Sequence, residues 1–240
     1  MSKVAISTTA GGRRRQAWYW LALLLAALGL MGCASRGRDA AWASTPTPTP
    51  APEQGTPIVI VAMGDSLTEG LGVDLTDAYP AQLERRLQGD GYQVTVINAG
   101  SSGETSSGAL ARVNWVLNLQ PDIVILATGG NDGLRGIDPA LTRANLEQLV
   151  AAFQEAGVSV VLAGMEMVQN MGEEYTAAFR AIYPAVAEEH GLILVPFLLA
   201  GVAADPELNQ PDFVHPNADG YRVVVETIYP YVEQALASVR

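Results

Sequence analysis

From Ile58 onward the chain alternates short apolar segments with longer segments of helical spacing, and this alternation restricts the fold more than any other feature. The first of them, "IVIVAM" at 58–63, is apolar throughout and rich in β-branched residues, which is typical of a strand covered on both faces. The longer segments repeat their apolar residues with helical periodicity, and several end at a glycine. The pattern predicts an α/β fold of three layers, α/β/α, with helices on both faces of a mostly parallel five-stranded sheet.

The periodicity places five strands and five helices along the chain. The predicted strands are 58–63, 92–99, 122–128, 158–165 and 192–197. The predicted helices are 78–91, 107–119, 138–157, 174–191 and 218–239. His190 falls in the last turn of the fourth helix, where a cation interacts favourably with the helix dipole, so we interpret it as structural.

The chain before Ile58 has a different character and predicts an export signal followed by a tether. Arg13–Arg15 precede an uncharged apolar run that ends at small residues, which is the order of a secretory signal. The segment "LMGC" at 30–33 resembles a bacterial lipobox, so residues 1–32 are interpreted as a lipoprotein-type signal peptide with lipid attachment at Cys33. Because the apolar run is near the minimum length for a bilayer span, an uncleaved helical anchor is the alternative.

Five prolines between positions 46 and 57 favour an extended conformation, so residues 33–57 are predicted to form a tether. Residues 58–240 then form one domain, which is long enough to bury a core. We expect an exported protein, held by a lipid at Cys33 on the periplasmic or extracellular face of the cell envelope.

Charge and the scarcity of cysteine and histidine argue against several classes of function. After Cys33 the chain has ten arginines and 25 Asp and Glu residues, which gives that part a formal charge of −15. Such a surface repels phosphate backbones, so nucleic acid is not an expected partner. Cys33 is the only cysteine and there are two histidines, so no metal site is expected. A cofactor is not expected either.

Polar segments follow the predicted strands, and the carboxyl ends of parallel strands share the edge where ligands bind. The first of these segments, "GDSLTEG", places Ser66 in a glycine-flanked turn before a helix. Serine is a favoured helix N-cap and also a common nucleophile. Ser66 by itself is therefore open to both interpretations.

A serine nucleophile needs a base, and the loop "PDFVHPN" after the last predicted strand contains a candidate. No helix or core requires a histidine at His215, and Asp212 is three residues before it, near enough to orient its ring. The alternative is an Asp-initiated turn with an exposed histidine. In "TGGND" the side chain of Asn131 can donate to an oxyanion, although Asn in such a glycine-rich segment is also a common turn residue.

Taken together, "GDSLTEG", "GGND" and "DFVHPN" resemble the SGNH, or GDSL-type, serine hydrolases, in the order found in that family. The likeness extends over nearly all of 58–239 and is closest to the bacterial subgroup that includes thioesterase I, lysophospholipases and arylesterases. "NAGSSGETSSGALARV", "GGNDGLRG" and "AFRAIYP" are similar to that subgroup. The resemblance implies a flavodoxin-like fold.

The resemblance also implies a role for each matching residue. Ser66 would be the nucleophile, His215 the general base and Asp212 the residue that orients it. The backbone amides of Ser66 and Gly103 and the side chain of Asn131 would form the oxyanion hole. Gly100 competes with Gly103 for the second position, and the context "SGET" favours Gly103. Asp65 would brace the nucleophile turn.

Apolar residues near these loops are candidates for an acyl pocket, because methionine adapts to variable apolar shapes. The candidates are Met165, Met167, Val168 and Met171. For the methionines, ordinary core is the alternative. Phe197 lies near the loop of His215 and has the same two interpretations, as a pocket residue and as core, of which core is favoured. Arg135 has two interpretations, as a contact for an anionic head group or as a surface ion pair with a neighbouring carboxylate.

The expected function is that of an exported serine esterase that hydrolyses acyl esters or lysolipids through an acyl-enzyme, with thioesters as a further substrate class. The alternatives are a carbohydrate O-deacetylase of the same fold and a catalytically silent lipoprotein that serves as a binding module. Intact Ser66, Asn131, Asp212 and His215 argue against the silent module.

Overall fold

Five parallel strands form one sheet in the computed structural model, which describes residues 56–167 and 171–239. The strands are β1 (Ile58–Gly64), β2 (Val94–Gly100), β3 (Ile123–Ala127), β4 (Ser159–Ala163) and β5 (Ile193–Val195). Their order across the sheet is β2-β1-β3-β4-β5, and every pairing is parallel. The predicted α/β fold with five strands is confirmed.

Helices cover both faces of this sheet. They are α1 (Ser66–Glu69), α2 (Tyr79–Gly89), α3 (Ser106–Ala111), α4 (Val113–Leu117), α5 (Gly130–Leu134), α6 (Pro139–Glu155), α7 (Glu173–His190) and α8 (Ala218–Ser238). One group consists of α2 and α8, which pack together, while α6 packs against α3 and α7 in a second group. The three predicted layers follow from this arrangement.

Burial along the strands explains their sequence patterns. All five residues of β3, in the interior of the sheet, are buried, as its uninterrupted apolar run requires. The edge strand β2 alternates buried and more exposed residues instead. The predicted ends of the longer helices also hold: Asp138 caps α6, and α7 ends at His190 before Gly191 in the left-handed conformation.

One predicted helix is two helices in the structure. The prediction for 107–119 is wrong at Arg112, where the backbone leaves the helical conformation and separates α3 from α4. The Arg112 guanidinium donates to the Glu104 carboxylate and to the Ala99 carbonyl. Tertiary contacts of one long side chain thus accompany the break in a segment whose periodicity is helical throughout.

Strand register places the polar segments side by side. Gly64, at the end of β1, pairs with Gly100 of β2 and with Ala127 of β3. The chain therefore leaves all three strands at the same level of the sheet. Between β1 and β3 the order of the strands reverses, and in such folds ligands bind at this point. In the described part of the chain, no helix has the length and apolar character needed to cross a bilayer. The predicted signal peptide, Cys33 and the tether up to residue 55 lie outside the described residues.

Candidate active site

The turn after β1 presents Ser66 at the first position of α1. Asp65, and not Ser66, is the N-cap, because its side chain accepts a hydrogen bond of 3.0 Å from the Leu67 backbone N–H. The capping interpretation of Ser66 is therefore wrong. Gly70 ends this short helix in the left-handed conformation, with φ of 88°. The hydroxyl of Ser66 is left to face a different partner.

That partner is His215, whose Nε2 lies 2.8 Å from Ser66 Oγ. His215 Nδ1 lies 2.7 Å from Asp212 Oδ2 on the other side of the ring. The loop that holds both residues has an Asx-type turn, since Asp212 Oδ1 accepts from the backbone N–H groups of Val214 and His215, each at 3.0 Å. The Asp-initiated turn and the proximity to Ser66 thus coexist in one loop.

Electrostatics set the direction of these hydrogen bonds. The Val214 backbone N–H, the His215 ring and the His215 backbone N–H together lower the pKa of Asp212 to about 2. The carboxylate is therefore ionised near neutral pH and can only accept. His215 Nδ1 consequently carries a proton, and in the neutral ring Nε2 is free to accept from the Ser66 hydroxyl.

The residues predicted to stabilise an oxyanion lie beside Ser66. The side-chain amide of Asn131, in α5, donates to Asp65 Oδ2 at 3.1 Å, and its second N–H remains for another acceptor. Gly103 has φ of 77° in the loop after β2, and Ser66, Gly103 and Asn131 line the same cavity.

Burial raises the pKa of Asp65 to about 6, although the hydrogen bonds from Leu67 and Asn131 act to lower that pKa.

Gly100 has a packing role that distinguishes it from Gly103. A Cβ atom at Gly100 would lie 2.1 Å from the Glu69 backbone nitrogen and 2.5 Å from its Cα. Only glycine allows the end of β2 to approach the turn of Ser66 so closely. Gly100 thus packs beneath the turn, whereas Gly103 is exposed at the cavity.

A buried carboxylate connects the start of α3 to α5. Asp132 is fully buried and accepts hydrogen bonds from the backbone N–H of Ser106 at 2.8 Å and from its hydroxyl at 2.5 Å. The Thr142 hydroxyl donates to the same carboxylate at 3.2 Å. Because Asp132 follows Asn131 directly, this network fixes the position of α5 relative to α3.

A cavity of about 430 Å³ opens above these residues. Its polar lining residues include Asp65, Ser66, Ser102, Gly103, Asn131, Glu166 and His215. Its apolar lining residues include Leu71, Leu134, Met165, Met167, Phe197, Leu199, Phe213 and Val214. Leu134 and Phe213 are 51% and 58% exposed at the mouth, so a substrate would meet apolar surface on entry.

Two of the four predicted pocket residues line the cavity. Met165 and Met167 line it, and Met167 packs where a Cβ of Gly133 would otherwise stand. Met171 does not line the cavity and lies beside Gly136 instead, whereas Val168 lies outside the described residues. The correction for Met171 reflects loop geometry, which apolar composition does not encode.

Other contacts differ from the sequence interpretation. Phe197 lines the cavity and is only partly buried, so its interpretation as core is wrong. Arg135 donates to the carbonyl of Gly103 at 2.7 Å, a contact that neither interpretation of this residue included. Sequence reasoning missed Leu71, Leu134 and Phe213, which are apolar residues within or beside the three motifs. Their position next to the motifs was the available signal.

The described residues 56–167 and 171–239 contain no group of three or more His, Cys, Asp or Glu side chains arranged to hold a metal ion.

The model of the GDSL-like Lipase/Acylhydrolase family matches residues 62–223 of the chain. The chain belongs to this family. The match includes the turn of Ser66, the loop after β2, α5 and the loop of His215.

Individual members of the GDSL-like family are similar over most of their length. Esterase TesA of Pseudomonas aeruginosa is 36% identical over 185 residues, which cover 77% of this chain and 92% of that protein. Thioesterase 1/protease 1/lysophospholipase L1 of Escherichia coli is 36% identical over 168 residues, covering 70% and 79%. The crystal structure of AlinE4, an SGNH-hydrolase family esterase, is 41% identical, with a TM-score of 0.64 over 76% of this chain and 98% of that one.

Membership of the GDSL-like family makes this protein an enzyme that hydrolyses acyl ester bonds. The five-stranded parallel sheet is the fold of its structural neighbours. The geometry around Ser66 is suited to acyl transfer, because a hydroxyl, an imidazole and a carboxylate form a continuous hydrogen-bonded chain.

Proposed function

We propose that the protein is an exported serine esterase that acts on acyl esters through a covalent acyl-enzyme, with Ser66 as nucleophile, His215 as general base and Asp212 as its orienting carboxylate. The observation that carries this proposal is the position of His215, 2.8 Å from Ser66 Oγ and 2.7 Å from Asp212. Both distances are within the reach that proton transfer requires.

In the first half of the reaction, Ser66 Oγ attacks the acyl carbonyl while its proton passes to His215 Nε2. The negative charge that develops on the carbonyl oxygen is stabilised by the backbone N–H groups of Ser66 and Gly103 and by the Asn131 side chain. When the tetrahedral intermediate collapses, the bond to the leaving group breaks. His215 then donates its proton to the departing alcohol or thiol, and the acyl group remains on Ser66.

In the second half, water takes the place of the leaving group. His215 accepts a proton from this water as its oxygen attacks the acyl-enzyme, and the same three donors face the second oxyanion. Collapse returns the proton to Ser66 and releases the carboxylic acid. Asp212, ionised throughout, keeps the imidazolium oriented during both halves.

The apolar cavity supports acyl esters of short to medium chain length, including lysolipids, as substrates. Met165, Met167, Phe197 and Leu199 offer apolar surface for an acyl chain beside Ser66. An O-deacetylase would need a more polar pocket for its sugar, so this lining favours the acyl ester. The lysophospholipase and thioesterase names of the Escherichia coli relative extend the proposal to lysolipid and thioester substrates.

Labelling with a fluorophosphonate probe tests the catalytic proposal. We expect the full chain to be labelled and Ser66→Ala to remain unlabelled, because the probe reacts only with an activated serine. Ser238→Ala is the matched control, since this serine contacts only a carbonyl of its own helix, and it should label like the wild type. Labelling of Ser66→Ala, or none of the wild type, would contradict the proposal and favour a silent binding module. Hydrolysis of p-nitrophenyl esters of graded length then measures the acyl preference.

We also propose that the protein is exported and held on the envelope by a lipid at Cys33, supported by the basic, apolar and small-residue order of residues 13–33. The prolines up to position 57 support an extended tether. Membrane fractions of cells fed a labelled fatty acid test this. We expect the wild type to carry label and Cys33→Ser to carry none; a labelled Cys33→Ser, or an unlabelled wild type, would overturn it.

A further inference from the structure

The oxyanion donor assigned to Gly103 lies on an exposed loop, and glycine is the residue with the greatest backbone freedom. A donor stabilises a transition state only if it is already aimed at the oxyanion before the charge develops. Something outside the loop must therefore restrain the peptide group that joins Ser102 to Gly103 and carries this N–H.

Glu69 holds the peptide group before it. The Glu69 carboxylate accepts from the Ser102 backbone N–H at 2.8 Å and from the Ser102 hydroxyl. Glu69 is in α1, one helical turn after Ser66, so the loop is fixed to the same short helix that carries the nucleophile. Hydrogen bonds to an ionised carboxylate are stronger than those between neutral groups.

Arg135 holds the peptide group after it. The Arg135 guanidinium donates to the Gly103 carbonyl oxygen at 2.7 Å. The peptide group that carries the Gly103 N–H therefore lies between two restrained neighbours, one bonded to an anion and one to a cation. Glu104, the next residue, is held in turn by Arg112, with two contacts of 2.6 Å.

Asp65 holds the other donor side chain, that of Asn131, to the same segment of chain as Ser66. It precedes Ser66 and accepts from the Asn131 amide, while Glu69 follows Ser66 and accepts from the Ser102 amide. Two carboxylates on either side of the nucleophile thus position one donor group each. Because both carboxylates lie close to Ser66 in the chain, α1 and its N-cap determine how far each donor group lies from the Ser66 hydroxyl.

We propose that Glu69 and Arg135 are positioning residues that hold the Gly103 N–H in the oxyanion hole. The inference rests on the proposed function, because it needs Ser66 to attack a carbonyl. It predicts an effect on the transition state with little effect on substrate binding, since the oxyanion exists only after attack.

Kinetics of Glu69→Ala and Arg135→Met on a p-nitrophenyl ester test this proposal. We expect kcat to fall about tenfold in each variant with KM within about twofold of wild type, because a misaimed donor loses part of its stabilisation. Glu69→Gln should retain more activity than Glu69→Ala, since its amide oxygen still accepts from Ser102. Glu147→Ala and Arg143→Met are the matched controls: these residues pair with each other on α6, and their variants should keep wild-type kcat.

Two results would overturn the positioning role: kcat within about twofold of wild type in both variants, or a change in KM alone. If Glu69→Ala does not fold, Ser102→Ala decides, because it removes one contact to Glu69 from an exposed loop and should lower kcat about two- to threefold. Ser66→Ala separates the two hypotheses. If it is as active as wild type, the proposed function fails; if it is inactive while the Glu69 and Arg135 variants keep full kcat, only the positioning role fails.

Discussion

His215 Nε2 lies 2.8 Å from Ser66 Oγ although 149 positions separate the two residues in the chain. The contact joins the turn after β1 to the loop before α8, at the carboxyl edge of the sheet. Neither residue needs the other for its local conformation: Asp65 caps α1, and Asp212 organises the loop of His215. The two local turns and the parallel sheet together bring the hydroxyl to the imidazole.

Asp212→Asn should lower kcat by about 10³- to 10⁴-fold, because an amide no longer holds the proton on His215 Nδ1. The ring can then present N–H, instead of a lone pair, to the Ser66 hydroxyl. Steady-state kinetics on a p-nitrophenyl ester measure the loss. Asp205→Asn alters another loop carboxylate, which accepts from the Glu207 N–H, and should stay near wild type. A kcat within tenfold of wild type in Asp212→Asn would contradict the orienting role.

Asn131→Ala should lower kcat by about 10²- to 10³-fold with a small change in KM, because it removes one of the proposed oxyanion donors. It also leaves Asp65 Oδ2 without its side-chain partner. Asn118→Ala changes an asparagine at the end of α4, away from the cavity, and should keep full activity. If the Asn131 variant loses affinity for substrate but keeps kcat, its amide acts in binding and not on the transition state.

Asp65 should make folding less stable as pH rises from about 4 to 6. Burial raises its pKa from 3.8 to about 6, so between these values the folded state binds a proton that the unfolded state has lost. Folding stability therefore falls with rising pH through this window. Relative to Asp65→Asn, the wild type should lose on the order of 3 kcal/mol between pH 4 and pH 7.

Urea unfolding of both proteins across this pH range measures the difference, and taking the difference cancels other titrating groups away from position 65. Asp212 titrates in the opposite sense: its pKa of about 2 lies below its ordinary value, so its contribution is present above pH 4 and is lost as pH falls toward 2. A wild type that gains stability relative to Asp65→Asn from pH 4 to 7 would show that Asp65 is not desolvated.

Phe213 has φ of 58°, a conformation that costs most residues about 1 kcal/mol and glycine almost nothing. Phe213→Gly should therefore unfold with a free energy about 1 kcal/mol higher than Phe213→Ala, since both remove the ring and differ only at Cβ. At the next residue, Val214, φ is not positive, so there the alanine variant should be the more stable one. The same order at both positions would rule out strain at Phe213.

Gly100→Ala should destabilise the protein by on the order of 3 kcal/mol, because its Cβ would lie 2.1 Å from the Glu69 backbone nitrogen. Gly89→Ala provides the control: it is the last residue of α2 and has open space around it, so alanine should be neutral or slightly stabilising. Thermal unfolding compares the two. Equal melting temperatures would mean that β2 can move away from α1 at no cost.

Sequence reasoning went furthest where local pattern determines structure. Short segments rich in apolar and β-branched residues predicted the strands, and Asp138 and Gly191 predicted the start of α6 and the end of α7. Short motifs, each within one loop at the edge of the sheet, predicted Ser66, Asp212 and His215 as site residues, and the structure brings the three together. Local chemistry is enough in such cases because each element is determined by its own residues.

The features that escaped prediction depend on partners distant in sequence. Arg112 breaks a helical pattern while bonding to Ala99, and Phe197 reaches the cavity because of where the loop after β5 runs. The contacts of Glu69 with Ser102 cross 33 positions. Neither hydrophobic periodicity nor a short motif predicts such pairs, because they form only when the sheet brings the loops together.

Strand β1 begins at Ile58, at the amino edge of the sheet, while the cavity opens at the carboxyl edge. The seven residues of β1 separate the two edges by roughly 20 Å. A biosensor chip or nanoparticle coupled at the amino edge would therefore leave the mouth facing the bulk solution. Immobilisation in that orientation should preserve turnover, whereas coupling through the Phe213 loop should block it.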